Sequence, residues 1–454
     1  MQFISEVRIG LISMDKKQLE ELALDEDVLY QIFNQCSLRE TIRMGASSMD
    51  KKQLEELALD EDVMYRIFNQ CSLRDTIRMG AVCKSWLSVS RWSTRARPQL
   101  PWLMMLPNSD SRAEEKEDDH PQSLQKQEGE FRSFFNLSEN TLYDPVKFPE
   151  LVGKRCCVSF NNADACGWIM TIVNHYLEMQ LFHPWRRIQL QLPNYSTLPP
   201  GNAYPPSYFS VSYFQHDHRI FKAAMSDDAA VVMVINERSS KLAFCRIGDN
   251  VWTHVSSSTR EAYFDVIYYN GQFYAIAFRG RLGVVHIDTT HPYVEILTEL
   301  IIVDRFYPYL VADSASKSLF IVLRSCAENR IQQYPHISMS FITTSDFKVF
   351  EIGLEETGDY KKNPVELESL GDRVIFLGRN PSMIFLASQF RGLEGNRIYF
   401  TDDRMERFGH EIPLKFVDVG IFNMEDKSVQ KLFLTKACHS SSPPIWVMPP
   451  CPAV

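Results

Sequence analysis

The spacing of apolar and polar residues divides the chain into two parts with different periods. Up to about residue 91, apolar residues recur every three or four positions, which is the period of a helix with one buried face. From Phe131 onward, short apolar runs rich in β-branched and aromatic residues are separated by turn residues, as in strands. The pattern therefore predicts a small helical part followed by a much larger β part.

Four short helices are predicted between Asp50 and residue 91. Leu54 and Leu57 share one face of the first helix, Asp60 can cap the second, and Ser72 with Asp75 forms a capping box for the third. The apolar residues that the last three helices would bury are Val63, Ile67, Phe68, Cys71, Leu73, Ile77, Val82, Trp86 and Val89. Helices this short are unstable alone, so a binding partner is expected.

The helical segment is duplicated. Met14–Leu22 returns as Met49–Leu57, an offset of 49 − 14 = 35 residues, and the copies stay in register to Ala46 and Ala81. Within that span, the copies differ only at the pairs Leu29/Met64, Gln31/Arg66 and Glu40/Asp75. Two copies so alike indicate a recent duplication of coding sequence, since repeats of a solenoid number three or more and diverge. The first copy lacks the last helix and its tryptophan, so residues 1–48 are predicted to be an extra, incomplete copy.

The β part contains one strong hairpin signal. Asn270-Gly271 separates two strand-like runs, and both positions of such a turn need a positive φ. A third strand is predicted from Gly283 to Ile287, and comparable turns are expected around Ser239–Lys241, Gly371-Asp372, Gly395-Asn396 and Glu425-Asp426-Lys427. Repeated meanders over about 300 residues fit a sandwich, a barrel or a propeller, and the length favours a propeller.

Between the two parts the chain becomes polar. Residues 92–107 are expected to form a connection, and residues 108–131 a flexible acidic loop. Glu114-Glu115-Lys116-Glu117-Asp118-Asp119 lies in this loop among few apolar residues. A charge run of this kind usually serves as a solvated tether.

Composition and charge exclude several classes of protein. Lysine and arginine number 48 against 57 acidic residues, a net charge of −9, which is the wrong sign for binding nucleic acid. No run of about eighteen apolar residues occurs, so no membrane-spanning helix is predicted. The 10 cysteines form no C-x-x-C pair, and no secretory signal begins the sequence. We therefore expect a soluble protein with reduced thiols in the nucleus, the cytoplasm or both.

Candidate chemistry is sparse. His216-Asp217-His218 offers two metal ligands without a third nearby, and Cys156-Cys157 with Cys166 lacks the spacing of a structural zinc site, so core positions are expected for these cysteines. Lys222 with Arg186-Arg187 is a candidate basic spot for an acidic partner. No nucleophile-elbow, Walker or dinucleotide motif occurs in the right context. No cofactor and no metal are expected.

The second helical copy resembles the F-box, whose pattern is L-P-x-D/E-x-h-x-x-I-h followed by V-C/S-K/R-x-W. The matching residues are Leu59-Asp60-Glu61-Asp62-Val63-Met64-Tyr65-Arg66-Ile67-Phe68, Leu73, Ile77 and Val82-Cys83-Lys84-Ser85-Trp86. Asp60 stands where the family usually has proline, which removes a rigid helix start but keeps a good cap. The resemblance implies a module, residues 49–91, that docks on the Skp adaptor of a cullin-based ubiquitin ligase.

The β part resembles the plant F-box family that carries a KIB-type β-propeller. The matching segments are Arg97–Met104, Gly153–Cys157, Leu242–Arg246, Asp265–Ala275, Ser369–Asn380, Ile398–Asp403 and Ile445–Pro449. Val158–Ala163 departs from the serine-rich turn of the relatives. The resemblance implies a propeller domain over residues 132–450. The expected fold is thus mainly β, with a small N-terminal all-α F-box module followed by a large β-propeller-like domain.

These resemblances imply a non-catalytic function. The protein is expected to be the substrate receptor of a Skp–cullin–F-box ubiquitin ligase, in which the propeller binds a protein target. The residues expected to bind the adaptor are Leu59, Val63, Ile67, Phe68, Leu73, Ile77, Val82, Cys83, Lys84 and Trp86. Two alternatives stay open. One is an interaction protein that no longer enters a ligase, and the other is a propeller hydrolase with converging acids or a metal at the central channel.

Overall fold

The structure is a computed structural model of the 454-residue chain. It describes the following residues: 65, 68, 88, 89, 99–105, 130–161, 166–173, 177–199, 220–236, 240–257, 262–277, 280–299, 306–334, 337–353, 364–390, 392–401, 403, 418–432 and 444–449. The side chains of 144 and 328–342 are not described.

The chain forms two compact units, residues 1–98 with 451–454, and residues 99–450. In the first unit, the described residues Tyr65, Phe68, Ser88 and Val89 all have helical backbone. Phe68 and Val89 are buried. The burial of Phe68 and Val89 agrees with the apolar faces predicted for these helices. From Gln99 onward, the described residues contain no α-helix. They form strands and the short 3₁₀ turns Pro149–Leu151, Tyr195–Thr197 and Ala387–Gln389.

The described strands of the second unit form six sheets, the blades of a six-bladed β-propeller. Blade 1 combines strands from both ends of the unit, namely β1 (Trp102–Met105), β2 (Phe131–Asn136), β3 (Thr141–Lys147) and β25 (Ile445–Val447). Blade 2 contains β4 (Lys154–Ser159), β5 (Ile169–Val173), β6 (Met179–His183) and β7 (Ile188–Gln191). Blade 3 contains β8 (Ile220–Met225), β9 (Val231–Asn236), β10 (Lys241–Arg246) and β11 (Thr253–His254).

The other three blades follow in chain order. Blade 4 contains β12 (Tyr263–Tyr269), β13 (Gln272–Ala277), β14 (Arg281–His286) and β15 (Tyr293–Glu299). Blade 5 contains β16 (Phe306–Asp313), β17 (Ser318–Tyr334), β18 (Ile337–Gly353) and β19 (Val365–Leu367). Blade 6 contains β20 (Arg373–Leu377), β21 (Met383–Leu386), β22 (Arg397–Phe400), β23 (Gly420–Asn423) and β24 (Val429–Lys431), with β20 and β22 parallel.

The ring closes through blade 1. Strand β25, close to the carboxyl end, pairs antiparallel with β1, and Trp102 lies opposite Val447. Strands β25, β4, β8, β12, β16 and β21 contact one another in succession. Blades 2 to 5 thus present their first strand to their neighbours, whereas blade 1 presents β25 and blade 6 presents β21. One apolar cluster of described residues fills each junction between neighbouring blades. The core is therefore distributed around the ring, and every blade depends on both of its neighbours.

Several turn predictions are confirmed. Asn270 and Gly271 have φ of 47° and 81° and join β12 to β13, as the hairpin signal requires. The predicted third strand is β14, and the turns near Ser240 and Lys427 close the hairpins β9–β10 and β23–β24.

Two other turn predictions are wrong about which strands are joined. Gly371-Asp372 lies between β19 of blade 5 and β20 of blade 6, and Gly395-Asn396 precedes β22, which pairs with β20 and β23. Both sites do have a residue with positive φ, 62° at Gly371 and 59° at Asn396. Turn residues indicate a reversal of the chain, but they do not specify which strands pair.

The propeller also begins before the predicted boundary at residue 132. Trp102–Met105, assigned above to the connection 92–107, is strand β1 and pairs with both β2 and β25. Along the chain, the predicted acidic loop therefore falls between β1 and β2, and its residues 108–129 are outside the described residues. A four-residue strand has too few positions to show alternation, so the sequence pattern did not reveal it.

Candidate functional site

Charged side chains are buried where four blades meet. We call this group the central polar cluster and define it by Lys222, Asp265, Tyr309, Arg324, Thr344, Asp403 and Asp418, each at most 7% exposed. Lys222 lies on β8, Asp265 on β12 and Tyr309 on β16, while Arg324 and Thr344 belong to the long strands β17 and β18. Asp403 follows β22 and Asp418 precedes β23. The cluster thus connects blades 3, 4, 5 and 6.

Lys222 and Asp265 form one half of the cluster. The Lys222 Nζ atom lies 3.4 Å from Asp265 Oδ1 and donates to the Gly378 carbonyl at 2.6 Å. Asp265 also accepts the backbone N–H groups of Val266 and Leu310, at 2.8 and 2.9 Å. Every polar group of this pair therefore has a partner inside the protein, which is the condition for burying charge.

Arg324 organises the other half. Its Nη2 donates to Asp418 Oδ2 at 2.9 Å, its Nη1 lies 3.3 Å from Asp403 Oδ1, and its Nε donates to Thr344 Oγ1 at 2.8 Å. The Thr344 hydroxyl donates in turn to Asp418 Oδ2 at 2.6 Å. Five donors in a planar fork make arginine suited to hold several acceptors at once.

Tyr309 joins the two halves. Its ring lies under the Lys222 ammonium, 4.8 Å from Nζ to the ring centroid, and its hydroxyl donates to Asp403 Oδ2 at 2.7 Å. The two halves therefore form one connected polar network, in which bonds strengthen one another in a low dielectric.

Burial and charge act in opposite directions on the pKa values of the cluster. Burial raises the pKa of Asp265, and the Lys222 ammonium with two backbone N–H donors lowers it in turn. Burial alone lowers the pKa of Arg324, but Tyr309, Asp403 and Asp418 raise it well above its usual value. Arg324 is therefore a permanent cation with its carboxylate partners fixed beside it.

The remaining two blades reach the centre through Trp446 and Ser159. Trp446 of β25 is fully buried, and its Nε1 donates to the Leu377 carbonyl of blade 6 at 3.0 Å. The Ser159 hydroxyl of blade 2 donates to the Trp446 carbonyl. A Cβ on Gly378 would lie 2.4 Å from Thr401 Oγ1, so only glycine fits at this crowded position. All six blades thus meet around the axis.

This arrangement is suited to holding the ring together rather than to bond chemistry. Three carboxylates converge at the centre, as a propeller hydrolase would need, but each is paired with a cation and at most 3% exposed. General acid–base catalysis needs a carboxyl group within reach of a substrate, whereas these three carboxyl groups are buried. Among the described residues, no group of three His, Cys, Asp or Glu side chains is placed to hold a metal ion.

The structure corrects the candidate basic spot. Lys222 is 1% exposed and belongs to the central polar cluster, whereas Arg186 and Arg187 are exposed in the turn after β6. Arg187 pairs with Glu150 at 2.7 Å. The three residues do not form one surface, because the Lys222 side chain is buried inside the ring, where its charge is paired with that of Asp265.

The candidate metal ligands have separate outcomes. Cys156 and Cys157 are each 2% exposed and belong to apolar clusters, which confirms the prediction of core positions, and Cys166 is half-buried. His216-Asp217-His218 lies outside the described residues.

Of the residues expected to bind the adaptor, the structure describes Phe68. It is helical and 1% exposed, as a core position of the helical module would be. The others, Leu59, Val63, Ile67, Leu73, Ile77, Val82, Cys83, Lys84 and Trp86, lie outside the described residues. Their role in binding the adaptor stays a prediction.

Sequence reasoning did not find Asp265, Tyr309, Arg324, Asp403 or Asp418. Their positions span residues 265 to 418, so no local spacing connects them. The sequence nevertheless contained a sign of buried charge, because Lys222, Asp265 and Arg324 each interrupt an apolar run within a strand. A lone charge at such a position indicates a buried ion pair, although the sequence does not name its partner.

Comparison with protein families gives two matches. The model of the KIB1-4 beta-propeller matches residues 134–423. The model of the F-box domain matches residues 57–96. The F-box match lies within the first structural unit and the propeller match within the second.

Individual relatives are F-box proteins of Arabidopsis thaliana. The chain is 27% identical to the one named At5g55150 over 233 residues, which are 51% of this chain and 59% of the relative. It is 22% identical to F-box protein At4g35733 over 316 residues, 63% of this chain and 81% of the relative. The first alignment thus spans less than two thirds of the relative's length.

Among solved structures, the nidogen/laminin complex matches with a TM-score of 0.36 and 8% identity, over 78% of this chain and 99% of the matched chain. Within the described residues, no helix is long and apolar enough to cross a membrane.

Proposed function

Because the chain belongs to the KIB1-4 β-propeller family and also carries an F-box domain, we propose that it is the substrate-recognition subunit of a Skp–cullin–F-box ubiquitin ligase. The F-box docks on a Skp-type adaptor and through it on a cullin. The propeller binds a protein target. The observation that carries the proposal is the F-box match at residues 57–96, directly before a separate propeller unit.

The proposed mechanism is proximity and needs no catalytic residue in this chain. Holding the target beside the ubiquitin-loaded enzyme raises the effective concentration of its lysines there. The described charged side chains at the centre of the propeller pair with one another, as Lys222 does with Asp265 and Arg324 with Asp418. We therefore propose that the target binds at a surface of the propeller away from this cluster, and that the protein acts in the nucleus, the cytoplasm or both.

Adaptor docking is tested by a pull-down of the Skp-type adaptor with matched variants of the two helical copies. Ile67→Asp with Trp86→Ala places a charge in the predicted interface and removes its largest side chain, so capture of the adaptor should be lost. Ile32→Asp changes the equivalent residue of the first copy, 67 − 35 = 32, and should leave capture unchanged. Undiminished capture by the folded Ile67→Asp, Trp86→Ala chain contradicts the proposal.

The identity of the target is a separate question. Proximity labelling with the full chain and with a chain lacking residues 49–91 distinguishes a target from ligase components. A target bound by the propeller is labelled by both chains, whereas the adaptor and the cullin are labelled only by the full chain.

Asp60 favours a second candidate function, an interaction protein that no longer assembles into a ligase. The family usually has proline at this position, and aspartate lacks its rigid φ. In that case the unaltered chain fails to capture the adaptor, and Asp60→Pro restores capture. Efficient capture by the unaltered chain excludes this candidate.

A further inference from the structure

The loop that follows β20 of blade 6 contacts two blades that are not its neighbours. We call this loop, Gly378–Ser382, the axial loop. Lys222 of blade 3 donates to the Gly378 carbonyl at 2.6 Å. Asn161, which follows β4 of blade 2, donates from its Nδ2 to the Pro381 carbonyl at 3.3 Å. Because blades 2 and 3 lie opposite blade 6 in the ring, the axial loop lies across the centre of the propeller.

Buried oxygens beside the axial loop have no hydrogen-bond partner among the described residues. Oδ1 of Asn380 and Oγ1 of Thr401 are two of them, and both residues are 0% exposed. The hydroxyl of Ser382, at the end of the loop, is a third. The Asn380 amide is fixed in this orientation, because its Nδ2 donates to the Pro381 carbonyl at 2.8 Å and a turned amide would place two acceptors together. Leaving a buried oxygen without a partner costs about 1–3 kcal/mol, so such oxygens usually contact a bound molecule.

Two of these oxygens converge on one point. A β carbon built on Gly378 would lie 2.4 Å from Thr401 Oγ1 and 3.1 Å from Asn380 Oδ1. The two side chains do not bond each other directly. One small molecule, placed slightly outward from this point, can therefore contact both oxygens. The Trp446 ring of blade 1 bounds the same space, since its Cδ1 lies 3.5 Å from the point.

The groups around this point favour a neutral ligand. Asn380 Oδ1 is an acceptor and repels an anion. The Lys222 ammonium, which is hydrogen-bonded to Gly378, repels a cation. Two side-chain oxygens are also too few for Ca²⁺ or Mg²⁺, which take six or more ligands. A water molecule can donate a hydrogen to Asn380 and accept one from Thr401, so it satisfies both side chains at once.

We propose that one water molecule is bound at the centre of the propeller, where it bridges Asn380 Oδ1 and Thr401 Oγ1. It joins the axial loop to the end of β22 and forms part of the packed centre of the ring. Glycine at position 378 then has a second role, because any side chain there would compete with the water for space. The proposal does not depend on adaptor binding.

The first test is a crystal structure of the full chain at a resolution that shows ordered waters, together with the structure of Thr401→Val. Valine replaces the hydroxyl by a methyl group of similar size and removes one partner of the water. We expect a density peak about 2.7–3.2 Å from both oxygens in the unaltered chain and no peak in the variant. Thr171→Val is the matched control, because the buried Thr171 hydroxyl donates directly to the Gln180 carbonyl at 3.4 Å, and the peak should persist there.

Oxygen-17 magnetic relaxation dispersion of the solvent gives a second readout, because it counts waters that stay inside the protein longer than its tumbling time. Thr401→Val should lose one such water relative to the unaltered chain, and Thr171→Val should lose none. The proposal is overturned if the unaltered chain shows no peak, or if Asn380 and Thr401 bond each other directly. It is also overturned by a peak that persists in Thr401→Val, or by a peak with several oxygens at about 2.3–2.6 Å, which would be a cation. The structure of the unaltered chain decides the question even where Thr401→Val fails to fold.

Discussion

Removing the buried ammonium group of Lys222 should strongly destabilise the propeller. In Lys222→Met the carboxylate of Asp265, which is fully buried, loses its cation, and the Gly378 carbonyl loses its donor at 2.6 Å. Breaking one partner of a buried pair costs about 3–5 kcal/mol, because the other charge stays buried alone. We therefore expect the free energy of unfolding to fall by about 4 kcal/mol at pH 8.

The pH dependence of this loss identifies its cause. Burial already raises the pKa of Asp265 in the folded protein, and loss of Lys222 removes the largest opposing influence. A carboxyl group whose folded pKa lies above its unfolded value binds more protons when folded, so stability is regained as pH falls toward that unfolded value. The difference between Lys222→Met and the unaltered chain should shrink by up to about 1.4 kcal/mol per pH unit in this window.

The assay is urea unfolding followed by tryptophan fluorescence at pH 8, 7, 6 and 5. Five of the seven tryptophans lie in the propeller, at positions 102, 168, 185, 252 and 446, so the signal reports mainly on this unit. Lys348→Met is the matched control, because Lys348 forms an exposed pair with Glu366 at 3.7 Å and should cost at most about 1 kcal/mol. The reasoning would be refuted if the two variants lowered the free energy of unfolding equally. It would also be refuted if the loss caused by Lys222→Met did not change with pH.

Three other outcomes follow from the ring and the duplicated segment. Trp446→Ala should lower the unfolding free energy by about 3–5 kcal/mol in the same assay, since it leaves a cavity and removes one of the two N–H donors to the Leu377 carbonyl, the other being that of Thr401; a loss below about 1 kcal/mol would contradict this role in closure. Burial and Arg186 lower the pKa of His183 below its ordinary 6.5, so the stability that depends on its neutral ring is complete above pH 6.5 and declines as pH falls below it. His183→Asn should flatten this decline in urea melts between pH 7 and 5, and an unchanged slope would exclude His183 as its source. A chain lacking Met14–Ser48 should bind the Skp-type adaptor within about threefold of the full chain in calorimetry, because the junction stays Ser-Met; a loss beyond about tenfold would give the first copy a part in docking.

Local signals in the sequence predicted the class of fold and some of its hairpins. The Asn270-Gly271 turn was readable because its dipeptide needs a positive φ at both positions. The turn at Gly371 was assigned to the wrong kind of connection, because the same residue types also join one blade to the next. Strand β1 was missed because four residues carry too little periodicity.

The central polar cluster could not be assembled from the sequence, since its members come together only when the ring closes. Lys222 and Asp265 are 43 residues apart, and Arg324 and Asp418 are 94 apart. Lys222 was therefore grouped with Arg186 and Arg187 by charge alone. Its position within the apolar strand Ile220–Met225 was the better guide, because an isolated charge in such a strand has to find an internal partner.

The affinity of the unaltered chain for a Skp-type adaptor tests the central claim most directly. Isothermal titration calorimetry with the purified full chain should give one-to-one binding with a Kd below about 1 µM, or about −8 kcal/mol. The chain with Ile67→Asp and Trp86→Ala, shown by circular dichroism to keep the helical signal of the unaltered chain, should bind at least about 100-fold more weakly. Absence of binding heat with the unaltered chain at several temperatures would contradict the account.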